Sequence, residues 1–327
     1  MNILYIGPYR DISIDGISSR YLINSLKDIP NTTLNIQSIT INNKVDNSVI
    51  YDEEVITKDL QSYDIVIQQA PVDFIVADSR IKKSIIIPVI NILNDKTINK
   101  LKIKKFDKLL VSNKYHLDKL KKIFGHKVVY LRHSNIVQPI SKKYSIRFLN
   151  NTKKFYYIGS YIGEQHLVRK IILSFMMAFR TDTSTSLVLF LDDNQSDLEQ
   201  LNKDIEDYKK QINLINDFKK ITVAGFNNTE ESLAIAHNGG DIYINPIMSV
   251  SNIHCEIAQA YKKKILYLDK IDSVVVPIEK DYDSGDTMLS PITMSVMTEM
   301  KKISSNDYKN QYFLCDSKYI KDIIIKL

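Results

Sequence analysis

The chain has 327 residues, 44% hydrophobic and 25% charged, a composition typical of a globular protein long enough for two domains. No apolar run reaches the length of a membrane span, and the N-terminal run MNILYIGPYR is too short and lacks the basic lead of a signal peptide, so we expect neither. Cys255 and Cys315 fit no metal-ligand spacing, which predicts a metal-free protein in a reducing compartment, the cytoplasm, or the host cytoplasm if the protein is viral.

The positive charge is concentrated in the first half of the chain. The net charge is +6; residues 1–150 carry 23 Lys and Arg against 14 Asp and Glu, and the remainder carries 21 against 24. Residues 96–132 alone hold twelve basic and two acidic side chains. This asymmetry predicts an anionic partner for the first half.

Short apolar runs alternate with helix-like segments through the first half. The predicted strands are 2–6, 34–41, 65–68, 84–93, 109–112 and 128–131. Gly16 stands ahead of a predicted helix over 18–26, and a second helix is predicted over 114–124. Strand, loop, glycine and helix in this order are typical of a doubly wound α/β opening, although the GxGxxG dinucleotide fingerprint is absent.

The alternation of strand-like and helix-like segments is interrupted over 138–153 and then resumes. Further strands are predicted at 154–159, 187–191, 221–224, 242–244 and 265–268, with helices over 166–180 and 197–218 and from Glu256 onwards; residues 281–300 are predicted to be irregular. We therefore predict three parts: a Rossmann-like domain over 1–150, a second over 151–305, and a terminal helix over 306–327 that packs back on the first domain.

The stretch 241–269 reads as one βαβ unit. After its first strand comes a polar loop with Ser249, Ser251, Asn252 and His254, and Glu256 then opens the helix. In such a unit the loop and the helix N-terminus present backbone N–H groups to an anion, and a carboxylate near the helix start accepts hydrogen bonds from hydroxyl groups. The pattern suits a nucleotide diphosphate with its ribose. A βαβ unit with only a capping Glu fits it as well.

Taken in order, the segments YYIGSY, VAGF and DIYINP…EIAQA…KKILYLD resemble those of GT-B glycosyltransferases, and most closely the retaining family 4 type. FDKLLVSNKYHLDKL is similar to the segment near the end of that family's first domain. The resemblance covers most of the chain. It implies an α/β fold of the GT-B class, with two Rossmann-like doubly wound domains facing across a cleft.

The resemblance also implies an activity: transfer of a sugar from a nucleotide-sugar donor, for example a UDP-sugar, with retention and without metal or other cofactor. Glu256 matches the second Glu of the family's Glu-x7-Glu pattern, which holds the ribose hydroxyls. The other donor-binding residues it implies are in the first domain, after the second domain's strands and in the polar loop: Gly16, Gly159, Ser160, Gly225, Ser249, Ser251, Asn252 and His254.

Two positions depart from the family pattern. Met248 stands where the first Glu of the pair belongs, and residues 159–166 contain neither the Arg nor the Lys that neutralises the leaving diphosphate. Arg169 and Lys170 follow closely and replace that pair if the helix turns one of them toward the donor. These departures also fit a second interpretation, a non-catalytic GT-B-like binding protein.

The first half should supply the acceptor pocket. Candidates at its strand ends are Gly16, Gln68, Gln69, Asn94 and Asp95. Asp95 is the acid among them and the candidate for a catalytic contact, with a helix N-cap role as the alternative. Of the histidines, His116 is expected to be exposed, and His133 and His254 follow apolar strands, where a structural role is also open.

The basic stretch predicts the acceptor class. Its candidate polyanion-binding residues are Lys104, Lys105, Lys114, Lys119, Lys121, Lys122 and Arg132. A hydroxymethylated base in phage DNA fits this charge. An anionic membrane surface, as used by enzymes that act on lipid carriers, is the alternative, and polysaccharide and protein acceptors also stay open. DNA is slightly favoured because the helix over 114–124 is expected to lack exposed large apolar residues.

Overall fold

A computed structural model describes most of the chain. The described residues are 1–42, 44–55, 59–90, 93–112, 114–133, 137, 139–140, 152–162, 165–182, 184–212, 214, 220–245, 253–267 and 291–304. They form two compact units. Of the link predicted over 138–153, residues 138 and 141–151 lie outside the described residues, as does the predicted terminal helix over 306–327.

The first unit is built on a six-stranded sheet. Its strands are β1 (Asn2–Gly7), β2 (Thr33–Ser38), β3 (Ile65–Pro71), β4 (Ser84–Val89), β5 (Lys108–Val111) and β6 (Val128–Tyr130). They pair in the order β2-β1-β3-β4-β5-β6, and each pairing is parallel. Strands buried on both faces need continuous apolar runs, which is why the sequence pattern identified them.

The second unit is built on a five-stranded parallel sheet. Its strands are β7 (Lys153–Gly159), β8 (Thr185–Leu191), β9 (Ile221–Gly225), β10 (Ile242–Asn245) and β11 (Lys264–Tyr267), in the order β11-β10-β7-β8-β9. Strand order therefore reverses between β1 and β3 in the first sheet and between β7 and β10 in the second. In open α/β sheets, ligands bind outside the carboxyl ends of the strands at such a reversal.

Eight α-helices are described. They are α1 (Ile14–Lys27), α2 (Asp95–Lys102), α3 (Lys114–Phe124), α4 (Gln165–Ala178), α5 (Gln195–Gln211), α6 (Glu230–Gly239), α7 (Ile253–Ala260) and α8 (Pro291–Ser304). Although α7 lies between β10 and β11 in the sequence, it belongs to the first unit. Within the described part of the chain, no helix is both long and apolar enough to cross a bilayer.

Four local predictions were wrong. The first helix begins at Ile14, so Gly16 lies in its first turn, and α7 begins three residues before Glu256. Part of the segment predicted to be irregular is α8, which starts at Pro291, because the fixed φ of proline suits the first helical position. His116 on α3 is buried. Its burial, reinforced by the charge of Lys119, lowers its pKa.

Each unit has its own apolar core. In the first, Ile86 and Leu109 of the sheet pack with Leu101 of α2 and Leu120 of α3. The second core is larger and aromatic, and it includes Phe155, Phe175 and Phe179, whose ring centroids lie between 5.1 and 6.0 Å apart. Met300 of α8 is buried in the same core.

Candidate functional site

The first turn of α1 lies at the carboxyl end of β1, where the strand order of the first sheet reverses. Ser13 caps the helix, and its Oγ accepts a hydrogen bond of 3.1 Å from the backbone N–H of Gly16. A Cβ added to Gly16 would lie 2.0 Å from the backbone oxygen of Asp11. The close approach of the loop backbone to the helix therefore requires glycine here. Gly16, predicted as a donor-binding residue, shapes this turn.

Asp15 precedes that glycine and is partly buried. Burial raises the pKa of its carboxyl to about 6, against the opposing effect of the nearby His133, while Asp11 raises it further. A carboxyl with a pKa near neutrality can both accept and donate a proton at physiological pH. Asp15 is therefore the group in this turn that is suited to acid–base chemistry.

A hydrogen-bonded set of side chains joins α1 to the sheet behind it. The Tyr5 hydroxyl on β1 lies 2.8 Å from Ser19 Oγ and 2.7 Å from Gln69 Oε1 on β3. Gln69 Nε2 in turn donates to the backbone oxygen of Asp15 at 3.2 Å. Buried polar groups need such partners, and the set holds the start of α1 against β1 and β3.

His133 connects α1 to the end of the first sheet. It follows β6, is buried, and places Nε2 2.6 Å from the Oγ of Ser18. Its other ring nitrogen, Nδ1, lies 3.6 Å from Oε2 of Glu256, which is too long for a hydrogen bond and within range of an ion pair if the imidazole is protonated. The ring thus lies between a helix-borne hydroxyl and a carboxylate.

Glu256 is buried among polar groups of the first unit. The Tyr130 hydroxyl donates to its Oε1, and the backbone N–H of His133 donates to its Oε2. Burial and the adjacent Glu256 charge raise the pKa of Tyr130, which keeps the phenol protonated as a donor. Both carboxylate oxygens are therefore engaged within the protein, and a ribose hydroxyl would have to use a remaining lone pair.

The strand-end candidates for the acceptor pocket differ in their surroundings. Gln68 is buried and exchanges two hydrogen bonds, of 2.9 and 2.8 Å, with the backbone of Val76. Asn94 is the N-cap of α2, since its Oδ1 accepts from Thr97 N at 2.9 Å, so the cap role predicted as the alternative for Asp95 belongs to its neighbour. Asp95 itself is exposed on the first turn.

In the second unit, the loop after β7 is held by Asp193, which follows β8. Ser160 Oγ donates to Asp193 Oδ1 at 2.8 Å, and the backbone N–H groups of Tyr161 and Ile162 also donate to this carboxylate. The loop begins after Gly159, at the reversal of strand order between β7 and β10. Gly159 and Ser160 therefore lie where this sheet would bind a ligand.

The remaining predicted donor residues are placed unevenly. Gly225 ends β9, the edge strand beyond β8 and therefore not at the reversal of strand order, and the nearest atom to a Cβ added there is Leu198 Cδ1 at 3.8 Å. Ser249, Ser251 and Asn252 lie outside the described residues. His254 lies on α7 in the first unit, where burial lowers its pKa to about 4 and so favours the neutral imidazole.

Arg169 and Lys170 both lie on α4. The guanidinium carbon of Arg169 sits 5.2 Å above the ring of Tyr208 on α5, so this side chain contributes to the packing of α4 against α5. Lys170 is partly buried on the next position of the helix. Arg169 and Lys170 thus differ in their surroundings. Variants of each residue can distinguish an effect on helix packing from an effect on ligand binding.

The predicted polyanion-binding residues lie at opposite ends of the strands of the first sheet, some at the carboxyl ends and others at the amino ends. Arg132 follows β6 at the carboxyl edge, where its guanidinium lies 5.9 Å from the Tyr130 ring. Lys119 donates to the backbone oxygen of Leu93 at 3.3 Å. The ends of α2 and α3 carry the others near the amino edge, namely Lys104, Lys105, Lys121 and Lys122, whereas the side chain of Lys114 lies outside the described residues.

Asp15 and Asp193 were not among the predicted site residues, and the contacts of His133 were not predicted. Asp15 and Asp193 had a signal, since each is an acid directly beside the helix start or strand end of a βα unit. His133 was considered, but its contacts to Ser18 and Glu256 join residues more than a hundred positions apart. No local pattern predicts such a contact.

Comparison with solved structures gives matches over the whole chain. UDP-GlcNAc 2-epimerase from Neisseria meningitidis bound to UDP-GlcNAc is 12% identical, with a TM-score of 0.56 and 100% of each chain covered. The S. aureus MnaA-UDP co-structure is 10% identical, with a TM-score of 0.53, over 99% of this chain and 96% of that one. A mutant O-GlcNAc transferase from Thermobaculum terrenum is 9% identical, with a TM-score of 0.54, over 100% and 67%.

No protein-family model matches the sequence, and comparison with curated proteins gives no match. At these identities the similarity to solved structures concerns the fold. It confirms the predicted fold class, an α/β chain of the GT-B type with two parallel sheets, each covered by helices. The family 4 subtype stays a prediction.

Proposed function

We propose that the chain is an enzyme that binds a nucleotide sugar and acts at its glycosyl–phosphate bond. The observation that carries this proposal is the full-length similarity in fold to structures described as bound to UDP or UDP-GlcNAc. The position of two predicted donor residues supports it, since Gly159 ends β7 and Ser160 follows it at the reversal of strand order.

The reaction proposed first is transfer of the sugar to an acceptor hydroxyl. Metal-free transfer needs cations and backbone amides around the departing diphosphate and an acceptor held near the anomeric carbon. The residues proposed for the diphosphate are Lys170 and Arg169. Asp15, whose pKa burial raises to about 6, is proposed to exchange the proton of a reacting hydroxyl.

Epimerisation of the nucleotide sugar is the second candidate reaction, and one feature of the comparisons favours it. Three structures described as UDP-GlcNAc 2-epimerases are matched over 94 to 100% of their own length, whereas the O-GlcNAc transferase is matched over 67%. Epimerisation would also act on a nucleotide sugar and would use proton-transfer groups. The predicted DNA acceptor has only the charge of residues 96–132 in its support.

The test begins with a thermal-shift panel of UDP-, GDP-, ADP- and CDP-sugars, because a ligand that binds the folded state raises Tm by mass action. The nucleotide sugar that gives a shift is then incubated with the protein, and its products are followed by NMR. A new epimer without nucleoside diphosphate release indicates epimerisation. Release that increases with duplex DNA containing hydroxymethylated pyrimidines indicates transfer to DNA. Absence of any shift would overturn the proposal and favour a binding protein for another ligand.

A further inference from the structure

A groove of about 710 Å³ opens at the amino ends of the strands of the first sheet, opposite the carboxyl ends where α1 begins. It lies below the first residues of β4 and β5, where the last turns of α2 and α3 end. Its floor is apolar and includes Phe106, Ile123 and Phe124. The basic side chains that line it are Lys102, Lys104, Lys105 and Lys127.

The acids of this groove are already engaged within the protein. Arg80 donates to both oxygens of Asp78, at 2.6 to 3.1 Å, and Asp107 accepts from the backbone N–H of Ser84 at 2.8 Å. Lys104 donates to the carbonyl of Ile75 at 2.6 Å, and Lys127 donates to the carbonyl of Phe106 at 3.1 Å. Backbone carbonyls leave the charge of these lysines uncompensated, so the groove is net positive.

Large apolar side chains are exposed around the same lysines. Ile103, between two groove lysines, is 76% exposed, and Ile123 of α3 is 41% exposed. This contradicts the expectation that the α3 segment presents no large apolar residue, which was the reason for favouring DNA. The helical register turns Leu120 into the core and leaves Ile123 among Lys121, Lys122 and the groove.

The segment next to α2 adds two more apolar side chains. After β3, Val72 and Ile75 enter the core, and the alternate residues Phe74 and Val76 are 65% and 51% exposed. The segment is fixed against α2, because Lys100 pairs with Asp73 at 2.6 Å and Lys104 bonds the Ile75 carbonyl. We call this surface the lysine face. It comprises the exposed apolar residues Phe74, Val76, Ile103 and Ile123 and the basic residues Lys102, Lys104, Lys105, Lys121, Lys122 and Lys127.

We propose that the lysine face docks on the surface of an anionic phospholipid membrane, with the groove receiving a phosphate head group. Lysines attract the anionic surface, and apolar side chains between them enter the boundary between head groups and acyl chains. The charge is supplied by the groove lysines Lys102, Lys104, Lys105 and Lys127 and by the exposed Lys121 and Lys122 of α3. Duplex DNA complements this charge equally well but provides no apolar region for side chains as exposed as Ile103 and Phe74.

Flotation of the full chain with phosphatidylcholine vesicles, with and without phosphatidylglycerol, tests the proposal. We expect flotation with the anionic vesicles only, and its loss at high salt. Lys102→Glu with Lys105→Glu should weaken this binding about tenfold or more, given the contribution of each basic residue near an anionic surface. Lys203→Glu with Lys301→Glu, both exposed positions of the second unit, is the control for the change in net charge.

Substitution of the exposed apolar residues distinguishes membrane binding from nucleic-acid binding. Phe74→Ser with Ile103→Ser should weaken vesicle binding about tenfold and leave the affinity for a random DNA duplex unchanged, because burial of apolar surface contributes to membrane binding alone. Ile50→Ser, at a position 71% exposed in the same unit, is the matched control. Circular dichroism verifies that each variant is folded.

Two outcomes would overturn the proposal. One is the absence of flotation with anionic vesicles. The other is vesicle binding that ignores the apolar substitutions and falls in parallel with DNA binding on charge reversal, which would make the lysine face a general polyanion surface. Neither outcome depends on a nucleotide sugar, so the docking proposal can fail while the proposed enzymatic function stands.

Discussion

Nδ1 of His133 lies 3.6 Å from Oε2 of Glu256, and neither side chain is more than 3% exposed. The two residues are 123 positions apart, and the His133 backbone N–H donates to the same carboxylate oxygen. Glu256 therefore ties α7 to the segment after β6, whatever else it binds. The internal role of Glu256 affects the stability of the fold, whereas its predicted ribose contact affects binding of the nucleotide sugar. Substitutions can distinguish these two roles.

Glu256→Ala should lower the free energy of unfolding by about 2–4 kcal/mol, because it leaves the buried Tyr130 hydroxyl and His133 N–H without an acceptor. Urea denaturation measures the change. Glu231→Ala, on the exposed first turn of α6, is the control and should change the free energy by less than about 0.5 kcal/mol. Near-equal changes for the two variants would contradict the buried network.

Glu256→Gln tests the ribose contact separately. The amide keeps the shape of the carboxylate. Its oxygen can accept from the His133 N–H while its NH2 group donates to the Tyr130 hydroxyl, so the variant should fold. If Glu256 also holds ribose hydroxyls, affinity for the nucleotide sugar should fall by about 1–3 kcal/mol in calorimetry. Unchanged affinity in a folded Glu256→Gln variant would leave Glu256 with its structural role alone.

Asp15→Asn should stabilise the protein at neutral pH and have little effect in acid. Burial raises the folded-state pKa of Asp15 to about 6 from its ordinary value of 3.8, so the folded state binds the proton more tightly than the unfolded state. Ionisation of the Asp15 carboxyl therefore destabilises the folded state. This destabilisation is absent below the unfolded-state pKa, grows as the pH rises toward 6, and reaches about 1–3 kcal/mol above pH 6.

Urea titrations of the wild type and Asp15→Asn between pH 4 and pH 8 would show this as curves that diverge with increasing pH. Parallel curves would contradict the raised pKa. The same variant should lose turnover of the nucleotide sugar if Asp15 exchanges the reacting proton, while binding of the nucleotide sugar is retained.

Gly16→Ala should destabilise the first unit by about 2 kcal/mol or more. The added Cβ would lie 2.0 Å from a backbone oxygen, which cannot move away as a side chain could. Thermal unfolding measures the effect. Gly225→Ala is the matched control, since the nearest atom to its new Cβ is a leucine methyl group at 3.8 Å. A tolerated Gly16→Ala variant would show that the loop after β1 can retreat.

Arg169→Ala and Lys170→Ala should have different consequences. Arg169→Ala removes a cation 5.2 Å from the Tyr208 ring and should cost about 1 kcal/mol of stability. Lys170→Ala should leave stability nearly unchanged and weaken binding of the nucleotide sugar, as expected for the cation proposed at the diphosphate. Equal affinities of both variants and the wild type would remove these residues from the donor site.

The apolar pattern was sufficient to identify most elements of both sheets. Runs such as 187–191 are buried on both faces of a parallel sheet, and this requirement leaves a mark in the sequence that needs no knowledge of the neighbours. Helix ends were predicted less well. Ser13 and Asn94 begin their helices through single hydrogen bonds to nearby backbone N–H groups, and several polar residues near each start could have provided them.

Tertiary structure alone decided which side chains meet. His116 and Ile123 lie on one short helix, and the turn of that helix against the sheet buries the histidine and exposes the isoleucine, contrary to the order that polarity suggests. The contacts of His133 with Ser18 and Glu256 depend on strand order and on the packing of α7 in the first unit. Local sequence determines the periodicity of an element, whereas its neighbours in space determine which residues are removed from water.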